Sequence, residues 1–61
     1  MQYKYSAQQI VRFLHDNGLS DKTIAQSIGK TRVTIHRIRN GLQSGYQCVE
    51  DLHTLLKLSK L

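Results

Sequence analysis

Four glycines divide this chain of 61 residues into segments of helical length, and no proline interrupts them. The glycines are Gly18, Gly29, Gly41 and Gly45. Between them, apolar residues recur at the three- and four-residue spacing of a helix, whereas the alternation typical of strands is weak. A chain of this length has room for one hydrophobic core. The sequence therefore predicts a single compact all-α domain, 1–61, of four helices, or four to five at most.

Each predicted helix has its own start and stop signals. Ser6 with Gln9 fits a capping box, and Ser, Thr and Asp favour helix starts as glycine favours helix ends. Residues 1–5 are expected to form a flexible arm. The expected bounds are Ser6 to about Asn17, Ser20 or Asp21 to Ile28, Thr31 to about Arg39, and about Gly45 to Leu58. The residues expected to face the core are Ile10, Val11, Phe13, Leu14, Ile24, Ala25, Ile28, Ile35, Ile38, Val49, Leu52 and Leu56.

Charge is distributed unevenly along the chain. Nine Lys or Arg residues stand against four Asp or Glu residues, which gives a formal net charge of +5. No acidic residue lies between Asp21 and Glu50, and an acid-free basic stretch favours a polyanionic partner over a merely solvated face. Charge alone does not distinguish DNA, RNA and an anionic membrane surface. The cations of this stretch are Lys22, Lys30, Arg32, Arg37 and Arg39.

Several classes of protein are excluded by what the sequence lacks. No apolar run reaches the ~18–20 residues of a membrane span, and no secretory leader precedes the first helix. The single cysteine, Cys48, is expected to be partly buried, and His15 and His53 are expected at the surface, without the spacing of a zinc site. No carboxylate pair or nucleophile–base pair indicates catalysis. We therefore expect a cytoplasmic protein with no enzymatic activity, metal, cofactor or small-molecule ligand.

Two of the predicted helices meet across a very short turn. The connection between them consists only of Gly29, Lys30 and the cap residue Thr31. The small side chain of Ala25 permits a close crossing, and the isoleucines at positions 24, 28, 35 and 38 fix its angle. This spacing describes a helix-turn-helix over residues 20–39, a motif whose second helix enters the major groove of DNA.

The stretch LSDKTIAQSIGKTRVTIHRIRNG, residues 19–41, resembles the DNA-binding domain of the phage lambda repressor and Cro family. The shared features are a Leu-Ser lead-in, Ile-Ala in the first motif helix, Ile-Gly at the turn, Thr at the cap, spaced isoleucines and Asn-Gly at the exit. The resemblance implies a lambda repressor-like fold. It assigns base contacts to Arg32, Val33, His36 and Arg37, and phosphate contacts to Lys22, Lys30, Thr31, Thr34, Arg39 and Asn40.

Physical chemistry gives an independent reason for some of these assignments. Arginine bridges O6 and N7 of guanine with two hydrogen bonds, and valine suits a thymine methyl group, which favours Arg32, Arg37 and Val33 as base contacts. Tyr46 and Gln47, in the neutral loop after the motif, add hydrogen-bond donors for phosphate oxygens.

The sequence departs from the family's pattern at two positions. Asp21 stands where relatives often have a glutamine that meets a phosphate, so we expect Lys22 or backbone amides to take that role. Arg39 stands where relatives commonly have an acid, and besides a phosphate it has Glu50 and Asp51 as alternative partners.

The resemblance predicts a small phage-type transcriptional repressor in the bacterial cytoplasm or a phage-infected cell. Because one recognition helix covers only a few base pairs, we expect a homodimer on a palindromic operator with half-sites ~34 Å apart. Four leucines are candidates for its interface, or else they complete the core: Leu42, Leu55, Leu58 and Leu61. The alternatives are a protein-binding inhibitor or antitoxin on the same fold and, less favoured, an RNA-binding adaptor, since A-form major grooves exclude a helix.

Overall fold

The computed structural model describes residues 5–59 as four α-helices and one short 3₁₀ turn. The elements are α1 Ala7–Asp16, α2 Asp21–Ile28, α3 Arg32–Arg39, the 3₁₀ turn Tyr46–Cys48 and α4 Val49–Ser59. No strand occurs within that range. The molecule measures 27 × 23 × 19 Å along its principal axes. The prediction of a compact all-α fold with four helices is therefore confirmed. Over the same residues, every helix is too short or too polar to cross a lipid bilayer.

The first three helices begin and end where their sequence signals predict. Ser6 and Gln9 form the full capping box, with the Gln9 N–H donating to Ser6 Oγ at 3.2 Å and the Ser6 N–H donating to Gln9 Oε1 at 2.9 Å. The hydroxyls of Ser20 and Thr31 likewise accept a backbone N–H three residues on and so satisfy the starts of α2 and α3. Gly29 ends α2 at φ +72°, in the left-handed conformation that glycine adopts without strain.

The fourth helix begins later than predicted. Gly45 lies at φ +66° and is followed by the 3₁₀ turn, in which the Cys48 N–H donates to the Gly45 carbonyl at 2.8 Å. This is the i to i+3 bond of a 3₁₀ turn, and α4 starts only at Val49. The left-handed conformation of Gly45 keeps it out of the α-helix. A side chain would not fit at this position, because a Cβ there would lie 2.8 Å from Ile38 Cδ1 and 2.9 Å from Ala7 Cβ.

All four helices contribute to one apolar core. Ile24 and Ala25 of α2 pack with Ile35 and Ile38 of α3, and these four side chains are at most 2% exposed. Among residues 5–58, no polar or charged side chain is buried. The buried residues are Ala7, Ile10, Val11, Leu14, Ile24, Ala25, Ile35, Ile38, Cys48 and Leu52. Residues predicted to be inside but only half-buried against this core are Ile28, Val49 and Leu56.

Two predictions about single residues at the edge of the core were wrong. Phe13, expected inside, is 42% exposed, because it lies beside the buried stripe of α1 and faces a groove next to α4. His53, expected at the surface, is half-buried, with its ring stacked on Tyr5 at a centroid distance of 6.1 Å. Tyr5 is the last residue of the predicted arm, and its N–H lies 3.4 Å from His53 Nε2. The remainder of that predicted arm, residues 1–4, lies outside the described residues.

Candidate nucleic-acid interface

The helix α3 divides into a buried face and an exposed face. At about 100° per residue, its exposed side chains fall within a single arc of about 140°. On the opposite side, Ile35 and Ile38 are fully buried. The exposed arc carries the four side chains that the sequence assigned to base reading: Arg32, Val33, His36 and Arg37. The structure therefore brings these four residues together on the outside of the molecule, and Val33, 55% exposed, is an apolar residue displayed to solvent.

The exposed face carries the guanidinium groups of Arg32 and Arg37, and the acidic side chain at its edge, Asp21, is already paired. Asp21 lines a shallow groove of about 380 Å³ together with Arg32, Val33 and His36. Its carboxylate accepts from Arg39 Nε at 3.2 Å and from Arg39 Nη2 at 3.1 Å. Across residues 5–58 this is the one salt bridge, so the guanidinium groups of the exposed arc have no acidic partner there.

The pair of Asp21 and Arg39 corrects the expected partner of Arg39. Within the protein we expected that arginine to pair with Glu50 or Asp51 of the last helix, and its partner lies instead at the start of α2. Its contact with a phosphate stays a prediction. The two side chains are 16% and 26% exposed, and the contact is bidentate, which is the strong form of an arginine–carboxylate pair. Opposite charges at positions 21 and 39 are visible in the sequence, but Glu50 and Asp51 carry the same charge as Asp21, so charge alone does not identify the partner.

The first helix holds the end of α3, a role that the sequence did not reveal. Gln8 Nε2 and Arg12 Nε both donate to the Arg39 carbonyl oxygen, at 3.3 and 3.2 Å. Backbone carbonyls in the last turn of a helix have no partner within the helix, so these side chains satisfy a group that needs one. Gln8 and Arg12 are four residues apart and so share one side of α1, which was the available signal.

His36 lies between two polar neighbours at the end of α3. Its Nδ1 is 3.4 Å from Arg39 Nη2, and the Asn40 side-chain nitrogen is 3.4 Å from both ring nitrogens. Asn40 also donates to the His36 carbonyl at 2.9 Å. The Asn40 amide, assigned to a phosphate, is thus bonded back to its own helix in the free protein.

Several of the other predicted phosphate contacts line one polar groove beside α3. Lys30, Thr34, Tyr46 and Gln47 border this groove of about 250 Å³, together with the loop before the 3₁₀ turn. Thr34 is half-buried, and its hydroxyl oxygen lies 2.9 Å from that of the cap residue Thr31. Tyr46 is 74% exposed. Lys22 is also exposed, on α2.

The leucines assigned to a dimer interface differ in their surroundings. Leu42 and Leu58 are 74% and 73% exposed, as an interface would require. Leu55 is half-buried against the core, so that it serves the fold, and Leu61 lies outside the described residues. A second apolar surface was missed by the sequence reasoning: a groove of about 310 Å³ between α1 and α4, with Tyr5, Phe13 and Leu56 among its lining residues.

No group of three or more His, Cys, Asp or Glu side chains within the described residues is arranged to hold a metal ion. Cys48 is a free thiol, 3% exposed, and belongs to the apolar core more fully than expected. No family model, curated protein or solved structure matches this chain.

Proposed function

We propose that this chain binds double-stranded DNA in a sequence-specific manner through α3, and that it acts as a dimeric transcriptional repressor on a palindromic operator. The observation that carries the proposal is the exposed arc of α3, where Arg32, Val33, His36 and Arg37 project away from a fully buried opposite face. A helix that shows base-reading side chains to solvent across a short turn is the arrangement by which helix-turn-helix proteins enter the major groove.

The dimensions of α3 suit that groove. With its side chains an α-helix is about 10–12 Å across, and the major groove of B-DNA is about 12 Å wide. Arg32 lies in the first turn of the helix and Arg37 one turn further on, so both guanidinium groups are available for guanine edges. Val33 offers an apolar contact for a thymine methyl group, and His36 offers a ring nitrogen for a hydrogen bond.

Phosphate contacts are proposed on both sides of this helix. The polar groove on one flank is lined by Lys30, Thr34, Tyr46 and Gln47. Their ammonium, hydroxyl and amide groups can donate hydrogen bonds to the phosphate oxygens of a DNA strand. Lys22 on α2 supplies a further exposed cation. Contacts of this kind fix the orientation of the protein and make its affinity depend on salt.

Size supports a dimer. Over the described residues the longest dimension is 27 Å, whereas successive major grooves on one face of DNA are ~34 Å apart. One copy therefore reads one half-site, and a second copy reads the other. Leu42 and Leu58 are the exposed leucines that suit contact between copies. We assign this activity to the bacterial cytoplasm, including that of a phage-infected cell, where an operator is accessible.

The exposed apolar surface supports a second candidate, a protein-binding inhibitor or antitoxin built on the same fold. The apolar groove between α1 and α4 and the exposed Leu58 would then receive a different protein instead of a second copy. The protein-binding candidate assigns no partner to the cationic arc of α3. For this reason we prefer the DNA-binding proposal.

Selection of binding sites from random duplex DNA tests the proposal. We expect a short near-palindrome, bound with an affinity that falls steeply between ~50 and ~200 mM salt. The same measurement with single-stranded RNA and a shuffled duplex serves as the control. Recovery of no preferred sequence, together with binding that salt does not weaken, would exclude DNA reading and leave the protein-binding candidate.

A further inference from the structure

Arg39 and Asp21 join the end of α3 to the start of α2 at the border of the exposed arc. We propose that Arg39 is a positioning residue that acts through Asp21: it neutralises a carboxylate that would otherwise face the DNA backbone, and it does not itself bind a phosphate. This inference rests on the proposed function, since it assigns a task to residues at the edge of the same surface.

The geometry of the pair keeps the guanidinium directed at Asp21. Two nitrogens of Arg39 each donate to a different carboxylate oxygen, at 3.2 and 3.1 Å. Both side chains are less than a third exposed. A bidentate, half-buried arginine–carboxylate pair is stronger than a solvent-exposed ion pair. The Arg39 guanidinium therefore does not readily leave Asp21 for another anion.

The position of Asp21 explains why this carboxylate needs a partner. Asp21 borders the same groove as Arg32, Val33 and His36, the residues proposed to read bases. DNA that contacts those residues brings its phosphates to the rim of that groove. An unpaired carboxylate there would repel every duplex equally, because phosphates carry no sequence information.

The backbone around Arg39 is held without its guanidinium group. Gln8 and Arg12 of α1 bind the Arg39 carbonyl oxygen, and the neighbouring Ile38 is fully buried. Replacing the Arg39 side chain therefore removes its charge while α3 stays in place. Arg39→Met is the suitable variant, because it keeps an unbranched apolar stem of similar reach.

The test is a comparison of four proteins: wild type, Arg39→Met, Asp21→Asn and the double variant. Affinity is measured for the selected operator and for a shuffled duplex at low salt, and thermal unfolding is followed for each protein. We expect Arg39→Met to bind both duplexes about fivefold more weakly, as one unscreened charge at close range predicts. The double variant should return to within about twofold of wild type, since its net charge is restored. Asp21→Asn alone should bind both duplexes more tightly.

The affinities of the variants decide whether Arg39 acts through Asp21. If the double variant binds as weakly as Arg39→Met, then Arg39 touches a phosphate directly and the inference is wrong. Weaker binding by Asp21→Asn also overturns it, and this variant keeps the shape of the pair, so it stays informative even if Arg39→Met unfolds. A wild-type protein that binds neither duplex would instead overturn the proposed function, and this inference with it.

Discussion

Arg37 and Lys22 are both exposed cations, but the proposed interface gives them different tasks. Arg37 projects from α3 and is assigned to a base edge, whereas Lys22 lies on α2 and is assigned to a phosphate. We expect Arg37→Ala to cost about 1–3 kcal/mol on the selected operator and to relax the preference at one position of each half-site. Lys22→Ala should weaken all sequences alike and lower the salt slope by about 1.

The matched control is Lys57→Ala, which removes the same charge from α4. It should change neither the preferred sequence nor the slope of affinity against salt. Site selection with each variant measures the first quantity, and a salt titration measures the second. Identical effects of Arg37→Ala and Lys22→Ala on every sequence would contradict the assignment of Arg37 to base reading.

Gly45 and Gly29 both lie at positive φ, at +66° and +72°, but in different surroundings. A Cβ at Gly45 would meet Ile38 and Ala7 at under 3.0 Å, while nothing lies within 4 Å of a Cβ at Gly29. Gly29→Ala should destabilise the fold by about 1–2 kcal/mol through backbone strain alone. Gly45→Ala should cost a further ~1–3 kcal/mol from overpacking. Urea unfolding of the two variants measures this difference, and equal losses would mean that the loop moves away from the core.

Residues that act within one helix could be predicted from the sequence, and residues that act between helices could not. The exposed set of Arg32, Val33, His36 and Arg37 follows from helical spacing once the inward side of α3 is known. The partner of Arg39 does not, because the choice between Asp21, Glu50 and Asp51 depends on how three helices pack. The bonds from α1 to the end of α3 escaped prediction for the same reason.

At the scale of elements, the starts of α1, α2 and α3 were predictable because a cap is a local interaction over four residues. The start of α4 was not. Gly45 takes a left-handed conformation and approaches the side chains of Ile38 and Ala7, which lie 7 and 38 residues away along the chain. A sequence pattern carries no record of such an approach, and it therefore placed the start of the helix at the glycine itself.

The cap of α3 should contribute measurably to stability and to binding. With eight residues, α3 is shorter than the ~12–15 residues at which an isolated helix becomes even marginally stable. Thr31→Ala removes the bond to the Thr34 N–H and the contact between the two hydroxyls. We expect a loss of about 1 kcal/mol in the free energy of unfolding, and weaker binding to the selected operator.

Thr54→Ala is the control for the loss of a threonine hydroxyl. Thr54 lies within α4 and bonds back to the Glu50 carbonyl, so it caps nothing. Alanine has the higher helix propensity, and stability should be unchanged or slightly raised. Thermal unfolding of both variants provides the comparison. A Thr31→Ala protein as stable as Thr54→Ala would show that packing, not the cap, holds the start of α3.

At the scale of the whole molecule, the described residues extend over 27 Å, less than the ~34 Å between two half-sites. Two copies are therefore proposed to bind together, and the contact between them can be tested. Leu58→Asp should separate the copies and lower operator affinity, because a charge replaces an exposed apolar group. Sedimentation measures the mass of the complex, and Leu42→Asp places the same charge at the other exposed leucine. If neither variant changes the mass or the affinity, the dimer does not use these leucines, and the apolar groove between α1 and α4 is the surface to examine next.

The side chains that anchor α3 and those that it displays are separate sets. Ile35 and Ile38 hold the helix against its neighbours at 0% exposure, while the four outward positions make no contribution to the buried core. Exchanging the outward residues should therefore leave the scaffold intact and alter only which duplex it prefers. The same fold would then support many different operator preferences, each determined by the side chains at four exposed positions of one helix.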